Sequence, residues 1–477
     1  MSIIGGWKSY DNKAHKSPEF ELWTGMSKED IVKLDDHCSR APGLIGMIAH
    51  YIYMTSTFPN WVSAVSAAIA LLGMVKSHKI RSSTNIRTNM MSLTVGTSGV
   101  GKDSPQKAIS ALLDAAKMGE YLSGIPASHI AIYTGLRDRQ GKNLIVADEF
   151  AGVLQALKNP NASNYESSII NHLMLLYSCA NSFANAPEIS NRSGKVEGDK
   201  IKIVAPSVNI CANTTPKEFF KLINGDDILS GWLGRWDINM IEIFPMKPNT
   251  TYDSDEANKL FVQIVAVLEW WRAQDTYVPS GDGDMGVTEK SIVIDPPIAR
   301  DEDPELMEKL MGYYREVAFY KGQAGNVGAT LYTRLAEQVM KIALIGSEAD
   351  LPTILNHNVI NIGGGIKPTE ALTNRDVIIT SDVFEWAAEY VIMKDQRIQY
   401  IIENKCGSDK NEEMYHLIKG IIKESGEITR RELCRRTNKT TKEIEDTIKS
   451  LWLNGHIRTD EFSIPGRPKH LYVWLND

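Results

Sequence analysis

The chain has few cysteines and no paired ones. Its 477 residues carry five, Cys38, Cys179, Cys211, Cys406 and Cys434, and no two form a C-x-x-C pair. That scatter argues against zinc modules and a disulfide framework, and it fits a reducing cytoplasm. No apolar run reaches the roughly twenty residues needed to cross a bilayer. The most hydrophobic one, "WVSAVSAAIALLGMV" from Trp61 to Val75, is broken by serines and reads as a buried helix with Pro59 just ahead of it. The first residues, "MSIIGGWKSYDNKAHK", lack the charged start and apolar core of an export signal. No membrane partner is expected. Nor is there an excess of positive charge: the net charge is -7, so any nucleic-acid surface must be local. Internal repeats and low-complexity tracts are also missing.

What is present suits a multi-domain globular protein. Hydrophobic content of 43% is ample for conventional cores, and the length suggests about three domains. Residues 1–80 are mostly helical in pattern after a polar leader, with apolar spacings of three and four in "IVKLDDHCSR" and "LIGMIAHYIYM". From 81 to 246, strand-like runs alternate with helical ones: "MSLTVG", "HIAIYTG", "NLIVADEF", "IKIVAPSVNICAN" and "WDINMIEIF". That alternation predicts an α/β three-layer sandwich with a largely parallel sheet. Residues 247–405 read as an insertion with one long helix near Ala257–Ala273, then a helical cap at 304–322, 328–347 and 382–403. Asp382 with Glu385 makes a capping pair for the last.

The stretch "MMSLTVGTSGVGKDSPQKA", residues 90–108, passes from a β-prone segment through a glycine-rich turn into a helix former. The turn fits G-x-x-x-x-G-K with Gly96, Thr97, Ser98, Gly99, Val100, Gly101 and Lys102. Such a loop winds backbone N–H groups around nucleotide phosphates, while the following helix presents its positive dipole end and the lysine adds a point charge. ATP with Mg2+ is the expected ligand. After the lysine a Ser or Thr hydroxyl usually meets magnesium; here Asp103 stands there, followed by Ser104. Either the aspartate reaches the metal or Ser104 serves, and the bland reading of Asp103 is a helix N-cap.

Two further strand ends carry chemistry. Asp148 and Glu149 close the apolar run of "NLIVADEF"; the first carboxylate suits magnesium, the second the attacking water. Neighbouring side chains on a strand point oppositely, so the two can divide these tasks. In "APSVNICANTTPKEFF" the strand ends on Asn213, whose amide suits a place between the carboxylates and the γ-phosphate. In "ILSGWLGRWDINM", Arg235 precedes another strand and suits a finger reaching a neighbouring subunit's γ-phosphate. A surface salt bridge is its alternative.

"GTSGVGKDSP", "NLIVADEF", "NICANTTPKEF" and "SGWLGRW" together resemble the P-loop helicases of phages and mobile elements, often found beside primases and related to superfamily 3 and AAA+ motors. The resemblance covers about residues 60–245, and the cap more loosely. It implies Lys102 as phosphate ligand, Asp148 as magnesium residue, Glu149 as catalytic base, Asn213 as sensor and Arg235 as trans-acting finger. It also implies a homo-oligomeric ring, usually a hexamer, working in a bacterial host's cytoplasm. The motor would serve beside a separate primase or polymerase, since no primase-like metal constellation precedes it. Asp103 departs from the family's usual hydroxyl.

DNA contacts are expected in two places. "NAPEISNRSGKVEGDKIKIV" reads as a β-hairpin with Arg192 and Lys195 near its tip. Related motors put such a hairpin in the central channel on single-stranded DNA; the alternative is a solvated hairpin. Residues 406–477 read as a winged helix-turn-helix domain: three helices, then two strands around a Pro-Gly-Arg-Pro-Lys tip. Residues 410–477 hold thirteen Lys or Arg against eleven Asp or Glu, a local +2 while the rest of the chain carries -9. Arg435, Arg436, Lys439, Lys442 and Lys449 are candidate duplex contacts around the recognition helix, and Arg467 and Lys469 around the wing. Protein docking is the competing use of such a domain. The function expected is an ATP-dependent DNA helicase or translocase, the alternative a DNA-binding ATPase switch without processive unwinding.

Overall fold

The structure, a computed structural model, describes residues 28–150, 169–187, 201–216, 218–219, 232–241, 248–250, 254–274, 296–323, 329–349, 377–405, 410–441, 444–445, 447–448, 451, 457–464 and 467–475. Its centre is a parallel five-stranded sheet of β1 (Met91–Val95), β2 (Leu122–Ser123), β3 (Lys142–Ala147), β6 (Ser207–Thr214) and β7 (Trp236–Met240). The order across the sheet is β2-β3-β6-β1-β7. β6 is therefore inserted between β1 and β3, pairing Thr94 with Asn213 on one side and Ala147 with Ala212 on the other. Continuous runs such as "NLIVA" are what a strand covered on both faces requires.

One face is covered by α1 (Lys28–Ser39), α2 (Gly43–Thr55), α3 (Trp61–Val75), α4 (Ser104–Ala115) and α7 (Asp255–Ala273), together with α9 (Ala329–Gly346) and α10 (Ser381–Lys405) of the cap. α3 is buried over 14 of its 15 residues, and Asn60 caps it by accepting from the Ser63 N–H at 3.1 Å. It carries no charge and several small residues, so it packs against helices and strands at once. The opposite face is covered by α5 (His129–Asp138) and α6 (Ile169–Ser178), with Phe150 and Trp232. Among the described residues there are twelve helices, α8 (Pro304–Gln323) included, and none is long and apolar enough to cross a membrane.

Two sequence expectations need correction. "HIAIYTG" is helix α5, not a strand: Ser128 accepts from the Ala131 N–H at 3.2 Å, and Ile132, Tyr133 and Leu136 form one buried stripe. The edge strand is instead the two-residue β2. At α10 the cap is Thr380, whose Oγ1 accepts from the Val383 N–H at 3.3 Å, so the helix begins one residue before Asp382.

β4 (Phe183–Asn185) and β5 (Lys202–Val204) pair antiparallel, Phe183 opposite Val204 and Asn185 opposite Lys202. They form the base of the expected hairpin; its tip, with Arg192 and Lys195, lies outside the described residues. A small sheet joins β8 (Arg300–Asp301), β9 (Glu348–Ala349) and β10 (Val377–Ile379). The C-terminal unit has its own core, where α11 (Lys410–Ser425), α12 (Arg430–Thr437) and Ile444, Ile448 and Leu451 pack on β11 (Glu427–Thr429), β12 (Ile457–Ile464) and β13 (Arg467–Trp474). That sheet is antiparallel in the order β11-β13-β12.

Several lysines are buried where the cap meets the sheet. Lys76, at the C-terminus of α3, donates to the Ile345 and Ser347 carbonyls at 2.6 Å each and lies 5.0 Å from the Trp271 ring centre. Burial pushes its pKa down to about 7, against the opposing pull of Glu348. Burial likewise lowers Lys341 to about 8, with Glu337 opposing. An unfolded lysine titrates near 10.4. Between about pH 7 and that value the unfolded chain binds the Lys76 proton that the folded chain has released, so folding stability rises with pH across this window. Lys76→Met should flatten that rise by up to about 1.4 kcal/mol per pH unit. A residual slope from Lys341 should persist above about pH 8. Urea denaturation from pH 6.5 to 9.5 measures the difference, and identical slopes in both chains would refute the assignment.

Candidate functional site

The carboxyl ends of β1, β6 and β3 lie side by side and bring together the residues singled out by their sequence context. The ladder continues past β1, where the Gly96 N–H donates to the Thr214 carbonyl at 3.0 Å and the Ile241 N–H to the Val95 carbonyl at 2.8 Å. Beyond Gly96 the backbone N–H groups of residues 97–103 find no backbone acceptor among the described residues; pairing resumes at Ser104, which donates to the Gly101 carbonyl at 3.3 Å. A run of unpaired N–H groups leading into a helix is a ready concavity for an anion. The Thr214 hydroxyl, at the neighbouring end of β6, is also buried with no hydrogen-bond partner among the described residues.

Glycine is required at two positions of this loop. Gly101 has φ +81, and a Cβ there would stand 1.9 Å from the Phe58 carbonyl oxygen. A Cβ on Gly96 would meet Val100 Cγ2 at 2.9 Å and Ile241 Cβ at 3.2 Å. Val100 is buried, while Thr97, Ser98 and Gly99 line the open side. Lys102 is only 6% exposed, and its ammonium has no ion-pair partner among the described residues. Asn213, 2% exposed, donates from Nδ2 to the Lys102 carbonyl at 2.7 Å. The amide thus locks the end of the loop onto β6.

Asp103 stands at the N-cap of α4 with φ -87 and ψ -24 and makes no capping hydrogen bond, so its exposed carboxylate is not consumed by the helix. Ser104 is partly exposed beside it. Pro105 follows at the helix start, where its missing N–H costs nothing. Sequence reasoning missed Gln106. Its Nε2 donates to the Ala147 carbonyl at 3.0 Å and the Cys211 carbonyl at 3.1 Å, tying α4 to the ends of β3 and β6. The available signal was a polar residue on the same helical stripe as Ile109 and Leu113.

Asp148 and Glu149 follow β3 directly and are both exposed. Asp148 Oδ1 accepts from the Glu149 N–H at 3.0 Å, and Glu149 has φ +52. Phe150 is buried with its ring centre 5.1 Å from that of Trp236, which fixes the turn and leaves both carboxylates in solvent.

Arg235 lies elsewhere. It ends the 3-10 turn Leu233–Arg235 at the amino end of β7, opposite the loop, since Trp236 pairs with Met91 and Met240 with Val95. Its Nη1 is 4.0 Å from Met174 Sδ on α6. Burial, then the like charge of Arg334, lowers its pKa, while Tyr177 and Glu337 act the other way.

In the C-terminal unit Arg435 and Arg436 both approach Glu432, at 3.6 and 3.7 Å, and Arg436 Nη1 donates to Ser425 Oγ at 3.1 Å. Lys439 follows α12, its N–H bonded to the Cys434 carbonyl at 3.1 Å. Lys442 and Lys449 lie outside the described residues; Arg467 and Lys469 lie on β13, where the backbone is described. The chain matches no protein-family model and no curated protein.

Gly101→Ala should destabilise the protein by about 1–3 kcal/mol, because the residue is forced into a left-handed conformation and against a backbone oxygen. Gly312→Ala in α8, where a Cβ meets nothing within 4 Å, should be neutral or slightly stabilising. Urea midpoints of the two variants test the contrast; equal midpoints would show that the loop does not need its glycine.

Proposed function

We propose that this chain is an ATP-dependent DNA helicase or translocase, a replicative motor of a phage or mobile element that works as a homo-oligomeric ring in the cytoplasm of a bacterial host. The observation that carries the reading is the insertion of β6 between β1 and β3, which gathers the open loop, Lys102, Asn213, Asp148 and Glu149 at one edge of the sheet. That arrangement is compatible with an α/β nucleotide-binding fold and supports the reading of a P-loop ATPase core.

In that reading the 97–103 N–H groups and Lys102 hold the phosphates of ATP. The Thr214 hydroxyl is a further donor with no acceptor among the described residues. Asp148, with Asp103 or Ser104, would hold Mg2+, which supplies neutralisation of charge on the transferred phosphoryl group. Glu149 orients and deprotonates the attacking water, and Asn213 holds its strand end against the loop. Arg235 acts on a neighbour's nucleotide. Arg192 and Lys195, in the segment joining β4 to β5, contact single-stranded DNA in this reading, and the C-terminal unit is a winged helix that engages duplex DNA.

Lys102→Ala should lose tight ATP binding, whereas Glu149→Gln should bind ATP normally and lose turnover. With the parent chain, a forked duplex should be unwound in the presence of ATP and Mg2+. Turnover without strand displacement would reassign the protein to a DNA-binding ATPase switch; wild-type turnover in Glu149→Gln would overturn the assignment of the base.

Arg235→Ala should keep nucleotide affinity and lose roughly 10³-fold in turnover. Mixed with Lys102→Ala subunits it should regain part of that activity at shared interfaces. Co-assembled mixtures that never recover would count against a trans role.

A further inference from the structure

Resting on the reading of Arg235 as a finger, we infer that Gln338 and Lys394 of the cap are positioning residues that clamp the Arg235 turn to the sheet. Gln338 on α9 reaches both sides of the arginine: its Nε2 donates to the Gly234 carbonyl at 2.8 Å and the Trp236 carbonyl at 3.3 Å. Its Oε1 accepts from Lys394 Nζ on α10 at 2.9 Å. Lys394 also donates to Asp237 Oδ1 at 2.5 Å, on β7 directly after Trp236.

Asp237 is fully buried, and its second oxygen accepts from Asn239 Nδ2 at 2.8 Å, with the Tyr390 hydroxyl at 3.2 Å and Ser92 Oγ at 3.3 Å. The carboxylate therefore joins β7, β1 and α10. One turn along α9 from Gln338, Lys341 donates to the Asn89 carbonyl at 3.0 Å and to Asn89 Oδ1 at 2.7 Å, just before β1. The turn itself is weakly closed, by the Arg235 N–H to the Trp232 carbonyl at 3.2 Å. Two side-chain donors from a helix, on the carbonyls either side of Arg235, add to that bond and position the arginine.

Asp237 and Lys394 are poor test positions, because removing one partner of a buried ion pair strands the other charge and threatens folding. Gln338→Met keeps length and packing while removing the two donors. Gln338→Glu keeps an acceptor for Lys394 and sets an oxygen against the two carbonyls. In full-length protein, hydrogen exchange of the peptide covering 232–240 should quicken at least tenfold in both variants, with β1 unchanged. The kcat for ATP should fall at least tenfold with KM within about twofold of the parent. In the Arg235→Ala background, Gln338→Met should lower kcat no further. Unchanged exchange at 232–240 overturns the clamp, and a multiplicative loss in the double variant overturns its action through Arg235. If Arg235→Ala alone leaves turnover intact while exchange still quickens, the finger reading falls and the clamp on the turn stands.

Discussion

The hydrogen bond from Asn213 Nδ2 to the Lys102 carbonyl, 2.7 Å long and out of solvent, ties a loop to a strand that begins more than a hundred residues later. It forms only because β6 runs between β1 and β3 in the sheet. An amide buried there without that carbonyl would cost about 1–3 kcal/mol, so strand order and loop position stabilise each other. Gln106 repeats the device one helical turn later, spanning the ends of β3 and β6. Phe58 closes the third side, since its carbonyl occupies the space that any side chain at position 101 would need. The loop is thus held from the strands, from its own helix and from the α2–α3 connection. Among the described residues no backbone acceptor is turned toward its N–H groups.

The same sheet separates two kinds of group by its length. The loop, Asn213 and the carboxylates stand at the carboxyl ends of the strands, and Arg235 stands at the amino end of β7. Four residue steps of strand lie between, roughly 13 Å. An arginine side chain attached there and lying against Met174 does not reach its own chain's loop. In the proposed reading, Arg235 as a trans-acting finger would require a second copy placed head to tail, as in a ring closed by heterologous contacts.

Much of the frame was legible in the sequence. β3 announces itself by the apolar run Leu144–Ala147, and β1, β6 and β7 by β-prone stretches; β1, β3 and β6 end beside the residues singled out for the site, whereas Arg235 precedes β7. α5 was not legible: Ile and Tyr in "HIAIYTG" favour a strand locally, and the Ser128 cap together with burial of Ile132 and Leu136 decides for helix. Gln106, Gln338 and Lys394 were hidden for a different reason. Their partners lie 41 to 157 residues away, and no local pattern marks a polar residue whose acceptor arrives only with the tertiary fold. Lysines follow the same rule, because periodicity assigns them to solvent, whereas Lys76, Lys341 and Lys394 are buried with acceptors from another element.

Those three lysines also tie the cap to the sheet. Lys76 binds α3 to the end of α9, Lys341 binds α9 to the chain entering β1, and Lys394 binds α10 to both β7 and Gln338. Sliding the cap over the sheet would separate at least one buried lysine nitrogen from its acceptors, at a cost of about 1–3 kcal/mol or more for each group left unsatisfied. These ties hold cap and sheet together as one body. In the proposed motor, a change begun at the 97–103 loop would pass through Asn213 and the strand ends into that body rather than bend it, and the Arg235 turn would move with it.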